Sequence, residues 1–419
     1  MSKKFFEFSH KGAKIGVYPM KSVETVMIYL QLRAGAWNEK NGFGALHLIE
    51  HLSFDGTDTL ATQLEMEIFK EGHGINNGGS TSGSYVEYWA SCPSPSLMPS
   101  ADLLRGEAFF PQMNEKDIVK EKRVISQEYT DRWSNPHQRY WQSCVNQLFG
   151  KKHVYARNAI GEMDFVNSLT RAELVKLHKT HFVSSNCIVG IAGKITRNQA
   201  QEAVEHLFDK VPKGKKTQLK YAPIVPENRY LFHKEDENKT VVELNFITPG
   251  RDDFSQKQRI AFFLSKYILG GSMRSLLARE LRVKSGLVYD CGSTVSYRPT
   301  AGVYSLDAST NLKDAKEVFS IMKKVFVNFL HDGVPDQEFQ RALNYINMRT
   351  LMVYDSVSGI ADNITSSLFL DNKIVSVEEL NEIANSITQD YMLKLLRKYL
   401  DMKKAYISIM AREDPKLSI

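Results

Sequence analysis

The chain has few cysteines, no long apolar run and no strong excess of either charge. Its four cysteines, Cys92, Cys144, Cys187 and Cys291, stand far apart and form no CxxC pair. That spacing excludes a cysteine-clustered zinc site and offers no disulfide framework. No stretch approaches the roughly 18 apolar residues needed to span a bilayer. The opening MSKKFFEFSHKG lacks an apolar segment followed by small residues, so no secretory leader is expected there. A reducing, cytoplasmic setting fits these absences. Net charge is +6 over 419 residues, with basic and acidic side chains mixed throughout. So small an excess gives nucleic acid little to bind, and the basic cluster at 213–216 reads as solvated linker.

What is present is the balance of an ordinary globular protein, 42% hydrophobic and 24% charged. The length exceeds what one core usually supports, so at least two domains are expected. The chain also corresponds to itself at an offset of roughly 215 residues. Thr25-Val26-Met27-Ile28 opens an apolar strand matched by Thr240-Val241-Val242-Glu243. Asn167-Ser168-Leu169-Thr170 precedes one helix, and Asn385-Ser386-Ile387-Thr388 precedes its counterpart. Each of those helices leads into an apolar strand, at 187–192 and 405–410. Alternating strand and helix periods predict an α+β fold: two tandem homologous domains, each a mainly antiparallel sheet with helices packed on it. The Pro/Lys/Gly-rich stretch 211–226 is the expected connector, giving domains 1–219 and 220–419.

The chemistry concentrates in His47-Leu48-Ile49-Glu50-His51, within an apolar helical run that ends at Gly56. Positions i, i+3 and i+4 project from one helix face, so both imidazoles can grip one ion with Glu50 beside them. HxxEH is the reversed form of the HExxH zinc motif, the inverzincin signature. Catalytic zinc takes three protein ligands and leaves one position for water. Glu50 is placed to serve as the general base toward that water. A third ligand is required. Segment 114–133 reads as a helix with Asn114 as its N-cap, and Glu121 and Glu128, seven apart, share a face of it.

The pattern resembles the pitrilysin/insulinase family of zinc metallopeptidases, which includes processing peptidases. In that family the third ligand follows the second histidine after about 76 residues, and 76 residues separate His51 from Glu128. By this resemblance Glu128 is the ligand, and Glu121 holds a ligand imidazole in its tautomer. Phe54-Asp55-Gly56-Thr57 is similar to the family's FKGT segment, with Asp55 in place of lysine. Gly161 and the tandem duplication also fit. The expected activity is hydrolysis of extended or unfolded peptides within a chamber of which each chain forms half.

The second copy acts as a control on the first. It sets Phe263-Leu264-Ser265-Lys266-Tyr267 against the HxxEH segment and so retains none of the three catalytic positions. It carries instead Arg282 and Tyr289, seven apart. The resemblance implies that this pair contacts substrate and steadies the developing oxyanion, from the opposite chain of a dimer. Both features lie on one chain, so a homodimer would be self-sufficient, and pairing with a related subunit is the other arrangement. The resemblance also implies an edge strand near Tyr88 that pairs with the substrate peptide. Asn77, Gly78, Gly79 and Ser80 fall there, although Gly78 occupies the position where the family has asparagine. The competing reading is a non-catalytic scaffold subunit, which would have no use for Glu50.

Overall fold

In a computed structural model of the chain, residues 5–418 are described; the first four residues of the segment read above for a leader lie outside them. The described chain forms two compact units, and neither is continuous in sequence. One holds the chain through Ser134 together with Arg157–Lys220 and Met352–Ser376. The other holds Asn135–Ala156, Tyr221–Leu351 and the chain from Val377 onward. Lys220 to Tyr221, within the expected connector, is one crossing; the remaining crossings arise because each sequence half lends a helical segment to the other unit.

The first unit is built on six strands: β1 (Phe6–His10), β2 (Ala13–Pro19), β3 (Thr25–Leu32), β4 (Asn76–Thr81), β5 (Val86–Pro93) and β6 (Cys187–Gly193). They lie in the order β1-β2-β6-β3-β5-β4. Only β2 and β6 run parallel, so the sheet is mainly antiparallel. Strand β3 is apolar on both faces because both are covered. Val26, Ile28 and Leu30 join the larger core, while Met27 faces the opposite side, as the two-residue strand period requires.

Helices α1 (Ala45–Leu52), α2 (Gln63–His73), α3 (Leu97–Phe109) and α4 (Glu115–Ser134) follow in this unit. Helix α5 (Pro136–Phe149) belongs to the second unit; α6 (Met163–Ser168), α7 (Arg171–His181) and α8 (Arg197–Leu207) return to the first. Leu48, Ile49 and Leu52 of α1, Leu104 of α3 and Val204 of α8 pack with the sheet in one buried cluster.

The second unit carries β7 (Tyr230–Lys234), β8 (Thr240–Pro249), β9 (Asp290–Tyr297), β10 (Ala301–Thr310) and β11 (Tyr406–Ala411), ordered β7-β11-β8-β10-β9. Its helices are α9 (Gln256–Gly270), α10 (Ala315–Asp332), α11 (Asp336–Met352), α13 (Val377–Asn385) and α14 (Gln389–Tyr399), with a π-helical turn at Ala278–Lys284. Tyr140 and Cys144 of α5 meet Val241 and Met410 on its sheet. Helix α12 (Val357–Asp371) does the converse. Its Ile360, Ile364 and Leu368 cover Met27 and Ile188 of the first sheet.

The duplication holds strand for strand. Each sheet has one parallel pair, β2 with β6 and β7 with β11, beside an antiparallel run ending on an edge strand, β4 or β9. Helices α7 and α14 both start after a threonine, Thr170 or Thr388, whose hydroxyl accepts an amide proton three residues on. The first sheet has one extra strand, β1. The α+β class with helices on mainly antiparallel sheets is therefore the observed fold. No helix among the described residues is long and apolar enough to cross a membrane.

Candidate metal centre

Helix α1 has only eight residues and could not persist alone. Two devices hold it. Six of its residues are buried, and its N-terminus is capped from outside by Glu39. That carboxylate accepts from the amides of Gly44 (3.1 Å), Ala45 (2.9 Å) and Leu46 (3.3 Å), taking amides that a helix start leaves unpaired. Burial pushes the Glu39 carboxyl up to about 7, while these amides and Arg157 pull the other way. Gly44 has φ +115°, and a Cβ there would stand 2.7 Å from Val166 Cγ2 and 2.8 Å from Gly161 Cα. Glycine is required at this entry. The reading of the sequence missed Glu39; its signal was an acid shortly before a glycine that opens an apolar helix.

His47 and His51 project from one face of α1, their rings 4.6 Å apart and nearly perpendicular. Helix α4, starting one residue after Asn114, brings Glu121 and Glu128 against them. Glu128 Oε2 lies 3.9 Å from His47 Nε2 and 3.7 Å from His51 Nε2. Glu50 Oε2 is 4.0 Å from His47 Nε2. Glu121 Oε2 meets His51 Nδ1 at 2.9 Å. With Glu121 ionised, that nitrogen carries the proton and Nε2 is left bare. His47 Nδ1 is buried without such a partner.

These donors fit zinc. Bonds of about 2.0–2.2 Å in a tetrahedron imply donor-to-donor edges of roughly 3.3–3.6 Å, so the two edges from the imidazole nitrogens to the Glu128 oxygen, 3.7 and 3.9 Å, need to close by only a few tenths. Burial, with the charge of His51, pushes His47 down to about 3 and so keeps it neutral, as a ligand must be. For His51 burial also opposes the charge, but the Glu121 hydrogen bond and the carboxylates of Glu50, Glu128 and Glu121 outweigh it and raise the ring. Glu121 moves the opposite way: burial is outweighed by His51 and Lys120, and its carboxyl is lowered. Burial pushes Glu50 up to about 7, against the pull of His51 and Thr81. Among the described residues, His47, Glu50 and His51 are the group of three or more such side chains close enough to share an ion.

Asp55, where the family has lysine, pairs with Lys120 of α4, and Lys120 also reaches Glu121 at 3.1 Å. The substitution thus ties the segment after α1 to the helix that carries both glutamates.

Strand β4 runs past Glu50. Thr81 Oγ1 donates to Glu50 Oε2 at 3.4 Å, and a Cβ on Gly79 would lie 2.7 Å from Glu50 Oε1. Gly79 therefore lies beside this carboxylate on the edge strand, while Gly78 faces the Trp89 ring on the other side of the sheet and Ser80 is exposed. The Asn77 side chain is engaged elsewhere, donating from Nδ2 to Glu107 Oε1 at 2.5 Å. Thr81 and Glu107 were missed in the sequence, since neither belongs to a motif.

In the second unit the equivalent positions hold aromatic rings. Tyr267 of α9 stacks flat on Tyr345 of α11, centroids 3.9 Å apart at 10°, and Lys266 lies 5.4 Å from the Phe263 ring. Among the described residues, no group of His, Cys, Asp and Glu close enough to share an ion lies there. Arg282, in the π-helical turn, sits 5.4 Å over the ring of Tyr289, which is 75% exposed. The two residues are thus neighbours within their own unit.

Residues 17–158 match the family described as Insulinase (Peptidase family M16), and residues 168–346 match the Peptidase M16 inactive domain. The chain is 27% identical over 380 residues to a protein of Rickettsia bellii named as an uncharacterized zinc protease, covering 90% of each. A Bacillus subtilis protein of the same description, YmxG, is 22% identical over 92% of this chain and 96% of its own. Among solved structures, an M16 inactive-domain protein from Pseudomonas fluorescens superposes with TM-score 0.89 at 19% identity, over 98% of both chains. A protease from Helicobacter pylori gives 0.85 at 17% identity, over 97% of this chain and 99% of that one. With both halves matched by domains of one peptidase family, the chain belongs to the insulinase family of peptidases, M16.

Proposed function

We propose that the chain is a zinc-dependent endopeptidase acting on extended or unfolded peptides. The observation that carries this is the approach of both His47 Nε2 and His51 Nε2 to within 4 Å of Glu128 Oε2, with Glu50 Oε2 4.0 Å from His47 Nε2. Zinc bound there would polarise the scissile carbonyl and acidify water. Glu50, its carboxyl near 7, takes a proton from the attacking water and passes it to the leaving amine. Thr81 holds the carboxylate in place through Oε2. Glu121 keeps the His51 proton on Nδ1 and so turns Nε2 toward the ion.

Among the described residues, strand β4 pairs with β5 on one side only. Its other edge offers main-chain groups to a peptide laid as a further strand, a mode that reads backbone and tolerates varied side chains. Arg282 and Tyr289 are placed by the same reading on the substrate of the opposite protomer in a chambered homodimer. A scaffold role is disfavoured because Glu50, a buried acid, contributes nothing to packing that an apolar residue would not.

Zinc content and cleavage of a quenched unstructured peptide, compared with Glu50→Gln, test this reading. The wild type is expected to hold one zinc per chain and cleave. Glu50→Gln should hold the same zinc with kcat/KM lower by about 10²–10⁴-fold. A zinc-loaded wild type that leaves unfolded peptides intact, or a Glu50→Gln chain that cuts equally fast, would sink it.

A further inference from the structure

Strand β4 has an unusual problem. It is a sheet edge, paired on one side only, and its sequence Asn-Asn-Gly-Gly-Ser-Thr has two adjacent glycines at its centre. Glycines weaken a strand because they supply no side chain to pack and leave the backbone free. Yet this strand passes so close to Glu50 that Gly79 has no room for a Cβ. Something other than propensity must hold its register.

Side chains alternate along a strand, so Asn77, Gly79 and Thr81 share the face turned to the unit's interior. Thr81 reaches Glu50 at one end. At the other end Asn77 donates to Glu107 of α3. Glu107 is 0% exposed, and its second oxygen, Oε2, is buried without a hydrogen-bond partner. A carboxyl so enclosed is costly unless it is neutral and engaged. Burial pushes it well above the usual carboxylate range, against the pull of Lys70 and the Asn77 hydrogen bond. For packing alone, an apolar residue would serve better in the last turn of α3, a helix buried along most of its length. The polar group is explained by what it holds.

We propose that Glu107 is a positioning residue: its carboxyl clamps Asn77, fixes the register of β4 against Glu50, and so sets which bond of a docked peptide strand lies at the metal centre. The part concerning the peptide rests on the peptidase reading above. The two-residue period makes register decisive. A slip of β4 by one residue turns the opposite set of side chains toward Glu50, and a peptide paired to it moves with it.

The zinc-loaded protein is compared with Glu107→Leu, Glu107→Gln and Asn77→Ala by amide hydrogen exchange and by mass mapping of cuts in an unstructured peptide. Asn77 lies on an edge strand, so its variant folds even where Glu107→Leu does not. Asn77→Ala and Glu107→Leu should speed exchange across 76–81 by about tenfold or more, leaving α1 and β3 unchanged. Their cuts should spread to neighbouring bonds. Glu107→Gln keeps the acceptor for Asn77 and should match the wild type in both readouts. A merely structural role would lower the amount of active protein without moving the cuts. Unchanged exchange across β4 in Asn77→Ala overturns the clamp, and faster exchange with unmoved cuts overturns its role in register. If the zinc-loaded wild type cuts no peptide, the peptidase reading fails by itself, and the exchange result still decides whether Glu107 holds β4.

Discussion

His51 Nδ1 lies 2.9 Å from Glu121 Oε2, a contact that joins the helix carrying the histidine pair to the one carrying the third donor. Both glutamates of α4 act on the same imidazole, Glu121 at one nitrogen and Glu128 near the other. The first is buried; the second is 43% exposed at its side chain. Their roles therefore differ. Glu121→Gln should preserve the fold and weaken zinc affinity by about 10–100-fold, the usual effect of removing a carboxylate behind a ligand histidine. Glu128→Ala should lose the metal outright at the same zinc concentration. Competition against a chelator of known affinity measures both, and equal affinity for Glu121→Gln and wild type would reject the assignment.

The cap on α1 predicts a separate failure. Glu39→Ala removes the acceptor for three buried amides at the start of an eight-residue helix. Loss of a cap costs roughly 0.5–2 kcal/mol, and the burial of the orphaned donors puts this case at the upper end, about 2 kcal/mol. Because α1 carries both histidines, zinc should also leave faster. Urea unfolding and stopped-flow zinc release report the two effects. Release at the wild-type rate would mean that packing alone positions the helix.

How much of this could be read from the chain follows from sequence distance. The histidine pair and Glu50 sit within one helical turn, where a five-residue pattern fixes their geometry. The duplication was also legible, because strand β3 and its counterpart β8 keep the same apolar openings, and Thr170 and Thr388 start equivalent helices. Glu128 came only through family resemblance. Nothing local tells a glutamate on an amphipathic helix that it will meet a histidine 77 positions earlier. The exchange of α5 and α12 was not legible either. Periodicity shows that a helix has a face to bury, as Ile360, Ile364 and Leu368 do, but not which sheet will receive it. The sequence places Asn77 on the strand near the metal centre but gives no side-chain direction, and its amide donates to Glu107.

Acid sensitivity of the first unit should trace in part to His178. Its Nε2 donates to Ala108 O at 2.9 Å and its ring stacks on Phe182. Burial, opposed by the Ala108 carbonyl, pushes it down to about 4. A histidine lowered in the folded state takes up its proton first in the unfolded chain. Its contribution is complete above pH 6.5 and is lost as pH falls toward 4, by up to about 3 kcal/mol at roughly 1.4 kcal/mol per pH unit. His178→Gln keeps a donor for Ala108 and removes the titration. Urea-derived stability should therefore fall less steeply between pH 6.5 and 4.5 in that variant, and equal slopes would exclude His178 as the source.

Arg282 and Tyr289 supply the test of assembly. The guanidinium lies over the phenol ring, Lys239 stands 5.5 Å from the same ring, and the tyrosine is left three-quarters exposed. Such an aromatic gains little from folding, which is consistent with a task performed on something outside its own unit. Tyr289→Phe keeps the ring and removes only the hydroxyl, so activity should drop by about 10²–10³-fold if that hydroxyl faces the developing oxyanion. Glu50→Gln abolishes the other half of the chemistry. If each site draws its base from one chain and its phenol from the other, a heterodimer of the two variants contains one intact site and one doubly damaged site. Random reassortment of equal amounts makes half the dimers mixed, so the mixture should recover about one quarter of wild-type activity. If both groups serve a site on the same chain, no combination is intact and the mixture should stay as inactive as its parts. Native mass spectrometry on size-tagged chains confirms that mixed dimers have formed, and the activity of that verified mixture chooses between the two arrangements.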